Sequence, residues 1–291
     1  MPERQLTLLL LANSGGLSAP FPALGGLGDV TGSAFAMLFL QMAQEPGVLA
    51  ADTPAISSNG VVNAASFATA VSPGSWATIA GQNFSASSTP GRGWLPEEIV
   101  DGVLPTSLAG VSVQVDGKPA AISFVGPKQI NIQIPNDVSM GRVSIQVAGP
   151  TGLSETETVV QPVAPALFTT RVGGQDVVVA QDADGSLVGR PDQMSGGAPA
   201  RAGEVVVLYG TGFGVTEPAR PSGRLIDPAP LAESFLVRIG ETVIATEFGG
   251  MIGPGLYQFN IRVPSNLTGD QPVSIETAGI RSRPGTMMTF Q

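Results

Sequence analysis

The run Leu208–Gly214 reads LYGTGFG, a strand leading into alternate glycines, which is how dinucleotide-binding folds bring backbone N–H groups up to a pyrophosphate. That fingerprint works only when a helix begins behind the glycines. Here Val215-Thr216-Glu217-Pro218-Ala219-Arg220-Pro221 follows, with two prolines and no helical apolar period, so a glycine-shaped turn is the plainer reading. Asp182-Ala183-Asp184-Gly185 has the alternating acidic spacing that opens a calcium loop. A full loop also needs a third ligand at the next odd position and a Glu at the twelfth, where Ser186 and Gln193 stand. Asp182 and Asp184 are therefore weak metal candidates, a hairpin turn is the simpler account, and no cofactor other than calcium is in view. Two carboxylates could run a glycosidase mechanism without histidine. The acidic groups, Glu97-Glu98 with Asp101 and Glu155 with Glu157, lie in Gly-, Ser- or Pro-rich stretches that read as solvated loops. Lys118 follows the Asp116-Gly117 turn and Lys128 follows Gly126-Pro127, solvent-facing contexts that speak against a Ser-Lys dyad. No catalytic residue is assigned.

Two aromatic residues are candidates for ligand contact. Trp94 lies in TPGRGWLPEE, a Gly/Pro-rich insertion without strand pattern, flanked by Arg92 and Glu97. An indole on such a loop can meet a ligand or fold back onto its own sandwich. Tyr257, just before a strand, is expected near the junction of the two halves or at an open sheet end. Trp76, in SWATI, reads as core.

The missing residue types narrow the chemistry further. The 291 residues include no His and no Cys, which removes imidazole bases, thiol nucleophiles, disulfides and the usual zinc ligands. Only 13% of side chains are charged and the formal net charge is −9, with no basic cluster, so nucleic acid is not an expected partner. The absence of cysteine fits an oxidising and a reducing compartment equally.

The elements that must position these residues read as strands. With 38 Gly, 25 Pro and 43% hydrophobic residues the chain can bury cores between many turns. Val111, Val113 and Val115 alternate with polar residues before the Asp116-Gly117 hairpin turn. Ile130, Ile132 and Ile134 do the same up to Pro135, as do Val143, Ile145 and Val147, and each such strand is expected to have one buried and one wet face. The sequence also repeats itself. PGSWATIAGQNFS (Pro73–Ser85) aligns with AGEVVVLYGTGFG (Ala202–Gly214), QINIQIP (Gln129–Pro135) with QFNIRVP (Gln258–Pro264), and VSIQVAG (Val143–Gly149) with VSIETAG (Val273–Gly279). Three matches in one order mean two copies of a unit of about 100 residues, the size of an immunoglobulin-like sandwich. The expected fold is all-β: sandwich 1 over 56–163, sandwich 2 over 164–291, and a leader over 1–55. Phe35, Leu38, Phe39 and Met42 have helical spacing, which places a short helix over 33–45. Neither apolar block of the leader, Leu6–Ala12 or Ala34–Leu40, reaches the ~18–20 residues of a membrane span. The first resembles the core of a secretory signal only poorly.

VVNAASFATAVSPGSWATIAGQNFS (Val61–Ser85), QINIQIP, VAPALFTT (Val163–Thr170), DADGSLV (Asp182–Val188) and YQFNIRVPSNLTGDQPVSI resemble, in that order, an uncharacterised C-terminal module of Solibacter-type acidobacterial proteins. Each half is also similar to the IPT/TIG class of immunoglobulin-like domain. The resemblance implies a tandem β-sandwich of exported or surface proteins, and it brings no catalytic residues. The expected function is a non-catalytic extracytoplasmic spacer, display or adhesion unit with a protein or polysaccharide partner. A carbohydrate-binding module is the alternative and a carboxylate-dependent glycosidase the third reading. The oligomeric state is left open.

Overall fold

The computed structural model describes residues 53–86, 90–192 and 194–291. The leader up to residue 52, with the helix expected over 33–45, lies outside the described residues.

Four sheets account for the chain, two in each half. In the first half one sheet runs Ala55–Asn63, Trp76–Gln82, Gln129–Gln133, Ala121–Gly126, Arg92–Gly93. The facing sheet runs Ala70–Val71, Gly152–Val160, Gly141–Gly149, Val111–Val115, Ser107–Leu108. The second half repeats this plan. Val205–Thr211, Leu256–Arg262 and Thr246–Gly253 lie side by side, opposite a sheet in which Thr286–Phe290, Gly269–Thr277 and Phe235–Ile239 are neighbours. The molecule is two tandem immunoglobulin-like β-sandwiches. Among the described residues the only helical geometry is the short 3-10 turn Pro96–Glu98.

Alternation accounts for the cores. Val111, Val113 and Val115 face inward while Ser112 and Gln114 do not, and the hairpin turn after them has positive φ at both Asp116 (53°) and Gly117 (72°). Ile79, Phe84, Ile122, Ile130, Ile132 and Ile145 meet in the first core, and Leu208, Phe213, Ile239, Phe259, Ile261 and Ile275 in the second. The repeat is explained at atomic level by one glycine in each copy. A Cβ at Gly81 would strike the ring of Phe84, and a Cβ at Gly210 would lie 2.7 Å from the ring of Phe213. Each phenylalanine folds back under the glycine three residues before it, so neither residue can change alone.

One expectation fails informatively. Gln129–Gln133 does not have a wet face: Asn131 and Gln133 are buried along with Ile130 and Ile132. In Val205–Thr211 every residue except Val205 is buried. Asn131 is bonded within its own sheet by Thr78 and Gln129, whereas Gln133 and Thr211 meet the other sandwich.

Candidate functional site

The seam between the sandwiches is built from four short segments. Asn63 ends the first strand, and its Oδ1 accepts the N–H groups of Ala65 (2.9 Å) and Ser66 (3.1 Å). Its Nδ2 donates to the carbonyl of Ala164 in the linker at 2.9 Å. One buried amide thus shapes a turn and ties that turn to the second half. The turn places Ala65 in an apolar cluster with Phe168, Val179, Val207, Tyr209 and Leu256.

Trp76 makes the second contact. Its backbone N–H donates to Thr211 Oγ1 at 3.0 Å and its indole Nε1–H to the carbonyl of Pro254 at 2.6 Å. Gly255 is required here on two counts. Its φ is +62°, and a Cβ would sit 2.7 Å from the carbonyl oxygen of Gly74 and 2.9 Å from the indole.

Gln133 is the third. Buried to 2% exposure, it donates from Nε2 to the Gly74 carbonyl (2.9 Å) and accepts at Oε1 the N–H of Gly223 (2.7 Å). The fourth is an arm of the second sandwich that pairs with Gly102–Leu104. Leu104 N–H donates to Gly223 O at 2.9 Å, Leu225 N–H to Gly102 O at 2.7 Å, and Val103 bridges Arg224 antiparallel. Asn136 adds bonds to Ser222 Oγ (3.0 Å) and Arg220 O (2.7 Å). Beside this arm lies an open cleft of about 230 Å³, with walls that include Val103, Thr106, Pro119, Gln133, Ser222 and Arg224.

Trp76, expected in the core, is instead at this seam, and of the two aromatic candidates for ligand contact only Trp94 lies beside it. Arg92–Gly93 pairs as a short strand with Ala121–Gly126, and Trp94 then folds onto the first core with its ring 6.1 Å from Trp76, tilted 47°. Its loop packs on its own sandwich, and both tryptophans of the chain meet here. Tyr257 is enclosed in the second core at 1% exposure. Its ring lies 5.5 Å from Phe213 and its hydroxyl donates to the Gly214 carbonyl, so it braces the glycine turn from within. Burial pushes the phenol pKa upward.

LYGTGFG ends in an extended segment, with Phe213 in the core and Gly212 packed on Ala164, and no helix stands behind it. Asp182 and Asp184 sit in the hairpin between Ala180–Asp182 and Leu187–Val188. Bonds from Ser186 hold the Asp184 carboxyl below its ordinary range, while burial, with Glu204 and Asp184 nearby, raises that of Asp182. Among the described residues no group of three or more metal-binding side chains converges. Glu98 is held by the Arg92 fork, two bonds of 2.8 Å, which keep its carboxyl below the usual range. Glu155 and Glu157 lie on the exposed face of Gly152–Val160, Glu157 against Arg142 at 3.4 Å.

The seam residues Asn63, Gln133, Gly223 and Gly255 were missed from the sequence, although a signal was present. At aligned positions the first copy has Trp76 and Gln133 where the second has Val205 and Arg262. Arg262 donates to the Gly203 carbonyl at 2.8 Å as Gln133 does to Gly74, but it is exposed and paired with Glu247. The copies therefore differ because one end is covered and the other meets water.

An IPT/TIG domain is found at residues 66–161. Similar solved structures include a surface glycan-binding protein of Prevotella bryantii, 11% identical over 81% of this chain and 42% of that one, with a TM-score of 0.25. A Bacteroides ovatus protein of a mixed-linkage glucan utilization locus is 13% identical over 84% and 46%, with a TM-score of 0.35. Domains 5–6 of the S-layer protein SbsC are 13% identical over 82% and 96%, with a TM-score of 0.28. This chain spans less than half of the first two proteins. No curated protein matches the sequence. Among the described residues no helix is long and apolar enough to cross a membrane.

Proposed function

We propose that the chain is a non-catalytic, extracytoplasmic spacer and display module of a bacterial surface or secreted protein. Its functional units are the sandwiches over 56–163 and 164–291. The observation that carries this reading is the seam. Asn63, Trp76 and the arm around Gly223, which also donates to Gln133, hold one sandwich against the other at three separate points, so their relative orientation is a built feature. A spacer needs that property, whereas catalysis would need converging reactive groups. The carboxylates that could serve are dispersed among a hairpin, an arginine fork and an exposed sheet face. Placement outside the cytoplasm rests on the motif resemblance.

Both tryptophans lie at the seam, which gives a direct test. Indole fluorescence reports the junction and far-UV circular dichroism reports the sheets. In urea the two probes should trace one coincident transition. A fluorescence change that precedes loss of β-signal would describe sandwiches joined flexibly and would remove the rigid-spacer reading.

A further inference from the structure

We propose that the seam cleft binds a saccharide bearing a carboxylate, with Arg224 as the residue that recognises the acid group. Eight arginines among the described residues lie within 4 Å of a carboxylate: Arg92, Arg142, Arg171, Arg190, Arg201, Arg262, Arg281 and Arg283. Of the other three, Arg238 lies in the strand Phe235–Ile239, and Arg220 and Arg224, four residues apart on the seam arm, bond to the backbone carbonyls of Pro228 and Asp101. In a chain of net charge −9 that is an unusual place to leave two guanidinium groups without an acid. Arg224 lines the cleft together with the hydroxyls of Thr106 and Ser222, and no carboxylate lines it.

The other walls choose between ligand classes. Val103, Leu104, Pro119 and Pro135 present C–H surface. At about 230 Å³ the cleft has the scale of a small molecule rather than of a folded partner. An acidic peptide added as a strand would need free backbone groups at the cleft. Those are already taken, since Leu104, Gly223 and Leu225 all spend their N–H groups across the seam. A sugar ring with one carboxylate needs no such ladder. Guanidinium meets carboxylate in a planar two-bond geometry that an ammonium cannot reproduce.

The inference is independent of the spacer reading, which concerns how the seam holds and not what it binds. It is tested by calorimetric titration of the full chain with oligogalacturonate, a neutral glucose oligomer of equal length, and a poly-glutamate peptide. Oligogalacturonate should bind, and more weakly as salt rises. The neutral oligomer and the peptide should bind at least tenfold more weakly. Arg224→Gln and Arg224→Lys should each lose at least tenfold in affinity with unchanged tryptophan emission, whereas Arg142→Gln, on the exposed sheet face, should bind as the parent does. No binding of the uronate, equal binding of the neutral oligomer, preference for the peptide, or full affinity in Arg224→Gln would each overturn the proposal.

Discussion

At Asp182 burial works against charge. Its carboxyl is partly desolvated, with Glu204 and Asp184 adding repulsion and Arg201 offsetting part of it, so the proton is held more tightly in the folded chain than in the unfolded one. A raised carboxylate pKa means that protonation favours folding. The penalty is absent below the unfolded value of about 3.9 and fully present once pH exceeds the folded value. Asp182→Asn should therefore raise the melting temperature at pH 7 by on the order of 1–2 °C, a figure kept small because the site is mostly open to solvent screening. The gain should vanish in a scan at pH 3, and an equal gain at both pH values would assign the effect to something other than the charge. The same hairpin shows what single residues disclose beforehand. Asp184-Gly185 reads as a turn from its residue types alone, and Gly185 does take a positive φ of 88°. The environment of Asp182 depends on Glu204, in a neighbouring part of the sheet, and no local spacing announces that neighbour.

Strands were legible wherever a face pattern governed them, and misleading where a second layer covered the outer face. Val111–Val115 has the period-two burial that its valines imply. Gln129–Gln133 has the same alternation in sequence, yet its polar residues are buried: Asn131 is bonded by Thr78 and Gln129, and Gln133 bonds Gly74 in its own sandwich and Gly223 across the seam. A polar side chain that is fully bonded can occupy a buried site, so residue type alone does not distinguish a wet face from a bonded one. Replacing it separates the two cases. Gln133→Leu leaves the buried carbonyl of Gly74 and the half-buried N–H of Gly223 without their partner, at a cost of about 1–3 kcal/mol for the buried group. Arg262→Leu removes the equivalent bond to Gly203 at the exposed end, where water takes over, and should change stability by less than about 1 kcal/mol. Urea midpoints of the two variants check the contrast. Equal midpoints would mean that the buried amide contributes nothing special to the junction.

At the scale of the whole molecule, the internal repeat establishes two sandwiches, and their pairing comes from contacts with no repeat symmetry. Asn63 meets Ala164, Trp76 meets Pro254, and Gly102–Leu104 meets Gly223–Leu225, all joining segments distant in sequence. Such contacts leave no periodic trace. Only the copy-to-copy differences, Trp76 against Val205 and Gln133 against Arg262, hint at a covered end. Each sandwich has its own core, so fragments 53–163 and 164–291 should each show β-type circular dichroism and a cooperative transition. Each should nevertheless melt below the full chain. Separation exposes Ala65, Trp76 and the face carrying Val207 and Leu256, and it leaves Gln133 to be solvated anew. The linker holds the halves at an effective concentration of order millimolar, so free fragments should re-form the seam only when mixed at high concentration. Re-formation would appear as a blue shift of tryptophan emission, because both indoles lie at the junction. Fragments that melt at the temperature of the full chain, with no spectral change on mixing, would mean that the seam adds nothing and that the sandwiches behave as independent beads.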